Sequence, residues 1–349
     1  MNIAHFPTRR GFISSLAAAA TSLAAPSAST QSRLEKSKIV LALDGKATLY
    51  YLPLTISEQL GYFKAEGLDI EFLDLPTHSR ALQALTTGAA DVCAGAFEHT
   101  LHMQSKNQLV RSFVLQGRAP QCAFGLSKKT FPASAQAADL RGKKIGVPEL
   151  GSASHLLAST VLSRADIKPS EVSYVVVGGV SNALSALRDG QIDALSHTDP
   201  VMTMLELRSE IKTISDARTL NGAKAVFGGT MPGACLLAPD DFLQKMPKTS
   251  QALTSAIVRG LKWLQTAGTS DIIKTVPENY LLGDRSLYLA AFNKLRESTC
   301  LDGLMPEDGP RTALRALSGF DPSIEIKKID LQKTFTNQYA QRAKERFKS

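Results

Sequence analysis

The sequence predicts an α/β protein with two lobes of similar plan, and three observations support this prediction. The 349 residues are enough for two domains of ordinary size. Predicted strands and helices alternate along most of the chain, which is typical of mainly parallel sheets with helices on both faces. One short pattern of helix, turn and strand occurs in two distant places, as expected if both lobes share a plan.

The duplicated pattern is A-L-x-A-L-x-x-G-x-x-D, at residues 81–91 and 183–193. Alanine and leucine at this spacing form the apolar face of a short helix. Gly88 and Gly190 then stand where a helix needs a left-handed residue at its C-terminus. Small residues follow at once and predict strands over Val92–Gly95 and Ala194–Ser196. Each copy is therefore the helix-to-strand half of a βαβ unit.

The remaining elements of the first lobe are predicted from apolar runs between turn residues. The predicted strands are Lys38–Leu43, Leu68–Leu75, Asp91–Gly95 and Leu109–Leu115, and the flanking helices are Leu54–Gln59, the first duplicated helix and His99–Ser105. Leu68–Leu75 alternates apolar and polar residues, whereas the other strands are mostly apolar. This order predicts a mainly parallel sheet with helices between its strands.

Near Gly117–Pro120 the chain is expected to cross into the second lobe. The strands predicted there are Gln121–Ser127, a segment ending at Val147, Val172–Val177, Ala194–Ser196, Ile211–Ile214 and Gly233–Ala238, with helices at His155–Arg164, the second duplicated helix and Val201–Leu207. The β-branched run Val172–Val177 is predicted to be a central strand. Further helices, expected to pack on the first lobe, are Phe242–Thr266, Asp271–Tyr280, Ser286–Ser298 and Leu331–Arg346.

The N-terminus has the features of an export signal. Arg9 and Arg10 precede an uncharged run rich in alanine and leucine, Phe12–Ala25, which is short for a membrane span. Small residues follow at Ala24–Ala28, where a signal peptidase can cleave. We therefore expect residues 1–28 to be a signal peptide, and the twin arginine favours the route that exports folded proteins. Since no cysteine lies near the cleavage region, a lipid anchor is not expected.

Composition and motifs argue against several classes of function. The formal net charge is +8, but no basic run interleaved with aromatic residues indicates a nucleic-acid partner. The sequence has no G-x-S-x-G elbow, P-loop, H-E-x-x-H or Cys/His cluster with zinc spacing, so no catalytic residue, metal or cofactor is expected. Cys93, Cys122, Cys235 and Cys300 are interpreted as buried small apolar residues, and a bond between Cys122 and Cys235 stays open.

Ligands of open α/β sheets bind at the carboxyl ends of strands, next to helix N-termini. The loops expected to reach this position are 44–51, 77–79, 96–98, 151–154, 179–181 and 198–200. The N–H groups of helix N-termini would make such a cleft suitable for an anion. The predicted ligand-binding residues are Thr48, Tyr50, His78, Ser79, Ala96, Phe97, Glu98, Arg118, Ser152, Ser154, Thr198 and Asp199.

Several of these residues also have a purely structural interpretation. The hydroxyl groups are equally consistent with helix caps, and the aromatic residues with core packing or with stacking on a planar ligand. His78 and His197 are as consistent with a structural role as with a ligand. Glu98 and Asp199 would either meet an amine or N–H group of a ligand or stabilise a helix dipole as first-turn acids. A glycosidase-type pair of these two acids has no further support.

Longer stretches resemble one known family. They are GYFKAEGLDIEF at 61–72, ALTTGAADV at 84–92, DLRGKKIGVPELGSASHLLASTVL at 139–162, ALRDGQIDALSHTDPV at 186–201 and IDLQKTFTNQYAQRA at 329–343. These stretches resemble substrate-binding proteins of the nitrate/sulfonate/taurine type of ABC importer. This SsuA/THI5-like group, with its NMT1-like domain, also includes yeast-type pyrimidine synthases. The resemblance covers nearly all of residues 38–345. It implies the type II periplasmic binding fold, with two crossing hinge strands and a ligand cleft between the lobes.

The resemblance implies the solute-binding component of an ABC importer, which captures a small organic molecule and delivers it to an inner-membrane permease. We then expect an exported periplasmic monomer, with lobe I at 38–119 plus 240–349 and lobe II at 120–239. Two alternatives stay open. One is a pyrimidine synthase of the same fold, although that family's C-C-C-F-C motif is absent here. The other is a periplasmic ligand sensor for a membrane kinase.

The class of ligand is also left open by the sequence. A sulfonate or nitrate would be bound by arginine or lysine. An aromatic carboxylate or sulfonate stays possible as well, held by helix N-termini and Arg118. The predicted cleft loops contain only Lys46, with Arg80 nearby and Arg118 at the crossing. Glu98 and Asp199 favour a ligand with N–H donors instead, such as an aminopyrimidine.

Overall fold

The computed structural model describes residues 33–321 and 324–348. The signal peptide predicted at 1–28 therefore lies outside the described residues and stays a prediction. The strands of the described part are β1 Lys38–Asp44, β2 Asp69–Leu75, β3 Val92–Ala96, β4 Val110–Leu115, β5 Cys122–Ser127, β6 Lys144–Val147, β7 Ser173–Val176, β8 Ala194–Thr198, β9 Ile211–Asp216 and β10 Ala234–Pro239.

The helices alternate with these strands in the first two thirds of the chain and follow one another in the last third. They are α1 Leu52–Gln59, α2 Tyr62–Ala65, α3 His78–Thr86, α4 Glu98–Ser105, α5 Ala153–Arg164, α6 Val180–Arg188, α7 Val201–Leu207, α8 Leu220–Phe227, α9 Asp240–Lys245, α10 Pro247–Thr266, α11 Thr269–Thr275, α12 Arg285–Leu295, α13 Gly309–Phe320 and α14 Gln338–Arg346. Short 3₁₀ helices are Leu49–Tyr51, Ala137–Leu140, Pro169–Glu171, Glu278–Leu281, Arg296–Ser298, Ile326–Lys328 and Leu331–Lys333.

The strands form two five-stranded sheets of the same plan, ordered β2-β1-β3-β10-β4 and β7-β6-β8-β5-β9. In each sheet the first three strands are parallel. The fourth strand is antiparallel to both of its neighbours. The predicted two-sheet α/β fold is confirmed. We define the first lobe as the first sheet with α1–α4, and the second lobe as the second sheet with α5–α7.

The duplicated pattern builds the same unit in both lobes. Gly88 and Gly190 follow their helices with φ values of 78° and 74°, as predicted. The aspartate that closes each copy fastens the adjacent strand. Asp91 accepts a hydrogen bond from the N–H of Val40 in β1 at 3.0 Å, and Asp193 makes the equivalent bond to β6 at 2.9 Å. Each unit thereby sets its strand beside the neighbouring parallel strand.

The chain passes between the sheets twice, between β4 and β5 and again between β9 and β10. The two passages are in direct contact, since the N–H of Gly233 donates to the carbonyl of Gly117 at 2.9 Å. A Cβ at position 233 would lie 2.1 Å from the carbonyl oxygen of Ala119. Glycine is therefore required for this close approach of the two passages.

Two predictions about strands are wrong. The run Val172–Val177, predicted as a central strand, forms the half-exposed edge strand β7. β-Branched residues favour an extended backbone, but they do not distinguish an edge from a centre. The strand β10, predicted as part of a second lobe ending at 239, lies in the first sheet because it pairs with β3 and β4.

The C-terminal helices also differ from the prediction. The helix predicted over 242–266 is divided in two where Pro247 starts α10, and the one predicted from 331 begins only at Gln338. Helices α8 and α13 were not predicted. Helix α10 packs on α1 and α2, as expected. Helix α12 packs on the first lobe at the 3₁₀ helix Leu49–Tyr51, as expected, and also contacts α7. Helix α13 contacts both α4 and α5, so α12 and α13 join the lobes.

The cysteines agree with their interpretation as buried apolar residues. All four are buried and unbonded, so the open question of a bond between Cys122 and Cys235 is answered in the negative. Among the described residues, no helix combines the length and the apolar character that a membrane crossing requires.

Candidate functional site

A cavity of about 150 Å³ lies between the lobes, at the carboxyl ends of β1, β3, β6 and β8. Its walls are Asp44, Gly45, Thr48, Tyr50, Tyr51, Pro76, Thr77, His78, Ala96 and His99 from the first lobe, and Pro148, Glu149, Ser152, Ala153, Ser154, Gly178, Gly179, His197 and Thr198 from the second. Both sheets therefore contribute, as the rule for strand ends predicts. Neither lysine nor arginine lines this cavity within the described part of the chain.

The wall from the first lobe is built around Asp44, the last residue of β1. Its Oδ1 lies 3.0 Å from Nδ1 of His78 and accepts a hydrogen bond from the Tyr51 hydroxyl, also at 3.0 Å. The His78 ring packs against β3 at Gly95, where a Cβ would lie 2.2 Å from its Cε1. Burial by itself would lower the pKa of His78, but the hydrogen bond and charge of Asp44 raise the pKa above its ordinary value.

A second histidine lies against the first. The rings of His78 and His99 are stacked, with centroids 3.9 Å apart and an angle of 24° between the planes. Burial, followed by the nearby His78 charge, lowers the pKa of His99 well below its ordinary value. At neutral pH, His99 is therefore uncharged, and any positive charge of the pair lies on His78 beside its carboxylate.

Two polar atoms of this wall are buried without a hydrogen-bond partner. They are Nε2 of His78 and the hydroxyl of Tyr50. Burial raises the pKa of Tyr50 well above its ordinary value, so the hydroxyl keeps its proton. Buried polar groups nearly always have a partner, and both of these residues belong to the cavity lining.

The wall from the second lobe begins at the N-terminus of α5. The Ser152 hydroxyl accepts from the N–H of His155 at 3.2 Å and donates to the carbonyl of Glu149 at 2.7 Å, so it is a helix cap. His197 has a structural role as well. The N–H of Thr198 donates to its Nδ1 at 2.9 Å, and its Nε2 donates to the carbonyl of Gly178 at 3.0 Å. This is the neutral tautomer, consistent with burial lowering its pKa.

The structure brings together more than half of the predicted ligand-binding residues. The predicted residues that line the cavity are Thr48, Tyr50, His78, Ala96, Ser152, Ser154 and Thr198. The remaining five, Ser79, Phe97, Glu98, Arg118 and Asp199, are not part of its lining.

Three of these five have their environment elsewhere in the fold, and their predicted ligand contacts stay predictions. Asp199 is buried against the Arg218 guanidinium, at 3.3 Å, and also accepts from the N–H of Thr203. The Arg118 guanidinium donates through Nη2 to the backbone carbonyl of Glu297 at 2.8 Å, and its Nε is buried without a partner. Phe97 is fully buried in the core of the first lobe. Sequence alone did not reveal these partners because they come from distant segments.

Glu98 and Ser79 lie next to the cavity wall. Burial raises the pKa of Glu98 to about 7, although the charge of His78 acts in the other direction. Its Oε1 is buried without a partner. The Ser79 hydroxyl donates to Oε1 of Glu149, which crosses from the second lobe. Neither side chain belongs to the cavity lining, and the predicted ligand contacts of both stay predictions.

The cavity-lining side chains that were not among the predicted residues include Asp44, His99 and Glu149. Asp44 ends β1, and Glu149 follows two residues after β6. The rule that strand ends carry the site would have identified both, whereas His99 lies one residue inside α4 and has no such signal. In the described residues, no group of three or more His, Cys, Asp or Glu side chains is placed to hold a metal ion.

Comparison with known proteins gives matches of three kinds. Residues 48–267 match the protein-family model described as NMT1/THI5 like. A solved structure of a protein from Bordetella bronchiseptica RB50 is 50% identical and superposes with a TM-score of 0.87, covering 91% of this chain and 100% of that one.

Two more distant matches carry functional names. The alkanesulfonate-binding protein SsuA from Xanthomonas axonopodis pv. citri, solved bound to MOPS, is 16% identical with a TM-score of 0.69, covering 87% of this chain and 100% of that one. The 4-amino-5-hydroxymethyl-2-methylpyrimidine phosphate synthase THI13 of Saccharomyces cerevisiae is 26% identical over 233 residues, which is 65% of this chain and 67% of the yeast protein.

Proposed function

Because the chain belongs to the NMT1/THI5-like family and shares the fold of periplasmic binding proteins, we propose that it is the solute-binding component of an ABC importer. In this proposal the exported protein captures a small organic molecule and delivers it to an inner-membrane permease. The observation that carries the proposal is the cavity, to which both lobes contribute and in which two buried polar atoms have no partner.

The arrangement of the lobes explains how binding would be transmitted. The cavity walls come from separate sheets, and the chain passes between these sheets twice. A molecule that contacts both walls has a higher affinity for the closed arrangement than for an open one, so it shifts the population towards closure. The permease would then recognise the closed shape.

The charges of the cavity favour one of the ligand classes that the sequence left open. Asp44 and Glu149 line the walls, whereas no lysine or arginine of the described residues does so. A sulfonate or carboxylate would therefore be placed beside carboxylates without a guanidinium or ammonium partner. A neutral or cationic molecule with N–H groups, such as an aminopyrimidine, would donate to these acids and use the His78 and Tyr50 atoms that lack partners.

The size of the cavity agrees with this class. Cavities of roughly 150 Å³ in proteins hold a molecule the size of one aromatic ring. The value found here, about 150 Å³, matches a single substituted ring. Stacked histidines and Tyr50 supply the flat surfaces that a planar ring prefers.

Native mass spectrometry of the protein purified without added ligand tests the proposal first, followed by denaturation to identify any released molecule. We expect a ring-sized compound with N–H groups. A thermal-shift panel of aminopyrimidines, sulfonates and carboxylates then ranks the classes of ligand.

Tyr50→Phe should lower the affinity for the best ligand about tenfold, since the cavity loses a hydroxyl partner. Tyr62→Phe, far from the cavity lining, is the matched control. Tight binding of a sulfonate by the unmodified protein would contradict the proposed class.

The alternative of a pyrimidine synthase rests on the name of the yeast relatives. The cavity lining contains no cysteine, and the four cysteines of this chain are scattered and buried. An enzyme would change the mass of its bound molecule during incubation, whereas a binding protein returns the molecule unchanged. Analysis of the released ligand after prolonged incubation therefore separates the two hypotheses.

A further inference from the structure

Glu149 makes a direct connection between the lobes across the cavity. It lies on the loop between β6 and α5, in the second lobe. Its Oε2 accepts a hydrogen bond from the backbone N–H of His78 at 2.8 Å, and its Oε1 accepts from the hydroxyl of Ser79. Both donors belong to the first turn of α3, in the first lobe. One carboxylate thus caps a helix of the opposite lobe.

The place that Glu149 occupies is one where anions bind in other proteins. The first N–H groups of a helix have no partner within the helix and carry its positive end. Helix α3 has nine residues, and its first N–H is the one that Glu149 accepts from. Phosphate, sulfate or carboxylate ligands use such helix ends. In this chain the position is filled by a side chain of the protein itself.

A second observation at the same site concerns His78. Its side chain is buried, and Nδ1 is committed to Asp44 at 3.0 Å, while Nε2 in the cavity wall has no partner. The imidazole ring of His78 therefore already contacts the Asp44 carboxylate, and the backbone N–H of His78 contacts the Glu149 carboxylate. These two negative charges offset the positive charge of His78 in the wall that could attract an anion.

We propose that Glu149 is a specificity-determining residue of the cavity: it acts as an internal anion that excludes anionic solutes and joins the lobes when the cavity is closed. The proposal rests on the solute-binding function proposed above. It names the physical reason why this chain would reject sulfonates, although a sulfonate-binding protein shares its fold. Glu149 also supplies a contact between the lobes that stabilises the closed arrangement without a ligand.

Two substitutions separate the charge of Glu149 from its hydrogen bonds. Glu149→Gln removes the charge but keeps an oxygen that accepts from His78 or Ser79. Glu149→Ala removes both and frees the end of α3. The matched control is Glu307→Ala, which deletes the same charge at an exposed position outside the cavity. Circular dichroism confirms that each variant is folded.

The probe is methanesulfonate, titrated into each protein by isothermal calorimetry, with small-angle X-ray scattering to measure closure. We expect Glu149→Ala to bind methanesulfonate at least about tenfold more tightly than the unmodified protein, and Glu149→Gln to show a smaller gain. Both variants should be more extended than the unmodified protein in the absence of ligand, and Glu307→Ala should change neither property.

The proposal is overturned if Glu149→Ala gains no affinity for methanesulfonate, or if Glu307→Ala gains as much, since the effect would then be one of net charge. Equal binding of the anion by the unmodified protein would overturn it as well. These outcomes are distinct from failure of the solute-binding function, which is tested by the unmodified protein with the aminopyrimidine panel. If Glu149→Ala does not fold, the test is whether Glu149→Gln binds methanesulfonate more tightly than the unmodified protein, and no gain in affinity would overturn the proposal.

Discussion

Glu98 and Asp199 lie in similar but not identical places in the two lobes, because each comes within two residues of the end of the strand that follows the duplicated helix. Both are buried, with exposed fractions of 3% and 1%. Asp199 faces the Arg218 guanidinium and accepts from a backbone N–H, whereas Oε1 of Glu98 has no partner. The comparison shows that both lobes bury an acid close to this strand end. Burial raises the pKa of each acid, and a guanidinium opposes that shift only for Asp199.

The partner in the second lobe is fully buried and serves several acids. The Arg218 side chain has an exposed fraction of 0%. It donates to Asp216 at 2.7 and 2.8 Å, to Glu206 at 2.6 Å and to Asp199 at 3.3 Å. Glu206 in turn pairs with Lys294 of α12, so the network also ties a C-terminal helix to the second lobe.

The largest effect is expected from removing this guanidinium. Arg218→Ala leaves the buried carboxylate of Asp199, and the partly buried ones of Glu206 and Asp216, without their cation. It should lower the free energy of unfolding by about 3–5 kcal/mol. Urea denaturation at pH 7 measures the loss. Arg188→Ala, which breaks a surface pair with Glu210, is the control and should cost less than about 1 kcal/mol. A loss of similar size for both variants would show that the network contributes no more than a surface pair.

In the first lobe, removing the buried charge of Glu98 should raise the free energy of unfolding. Burial raises the pKa of Glu98 to about 7 in the folded protein, from 4.5. The folded state therefore binds more protons between these values, so stability falls as pH rises from about 4.5 to about 7. Glu98→Gln abolishes this loss. Relative to the unmodified protein, it should gain up to about 3 kcal/mol between pH 4.5 and pH 8.

The measurement is denaturant unfolding of both proteins from pH 4.5 to pH 8. The raised pKa of His78 also makes stability fall as pH rises, since that contribution is present below 6.5 and is lost through the folded pKa. The difference between variant and unmodified protein reports Glu98 together with its effect on His78, because the charge of Glu98 contributes to the raised pKa of His78. Asp199→Asn is the matched change in the second lobe, and it should destabilise at pH 8 because it weakens the Arg218 network. A difference for Glu98→Gln that does not vary with pH would contradict the assigned pKa.

The contrast between the two acids also shows which features the sequence can predict. The duplicated pattern predicts both helix ends and both strands, because helix periodicity and a left-handed glycine are local properties. The loops at strand ends predict where the cavity lies. The partners of the acids depend instead on contacts between distant segments. Arg218 carries no motif, and nothing near Asp199 in the sequence indicates it. Glu149 lies two residues before a predicted cleft loop, and its bond to α3 exists only when the lobes meet.

The same limit applies to sheet order. The strand β10 looks like any short apolar run, and only its antiparallel pairing with β3 and β4 places it in the first sheet. Local pattern predicts that a strand forms, whereas its neighbours are determined by the path of the chain. Thus the sequence predicts features with a local cause, such as a strand or a helix end. It does not predict features that depend on a buried partner or on a segment that returns from elsewhere in the chain.

The smallest effects are expected where the two lobes are locally identical. Gly88 and Gly190 have φ values of 78° and 74°, and no neighbouring atom lies closer than 3.8 Å to a Cβ at either site. Gly88→Ala and Gly190→Ala therefore meet backbone strain without a packing clash, and each should cost about 1 kcal/mol. Urea denaturation of the two variants should show losses equal within about 0.5 kcal/mol. Clearly unequal losses would mean that the lobes differ in local backbone strain as well as in the partners of their buried acids.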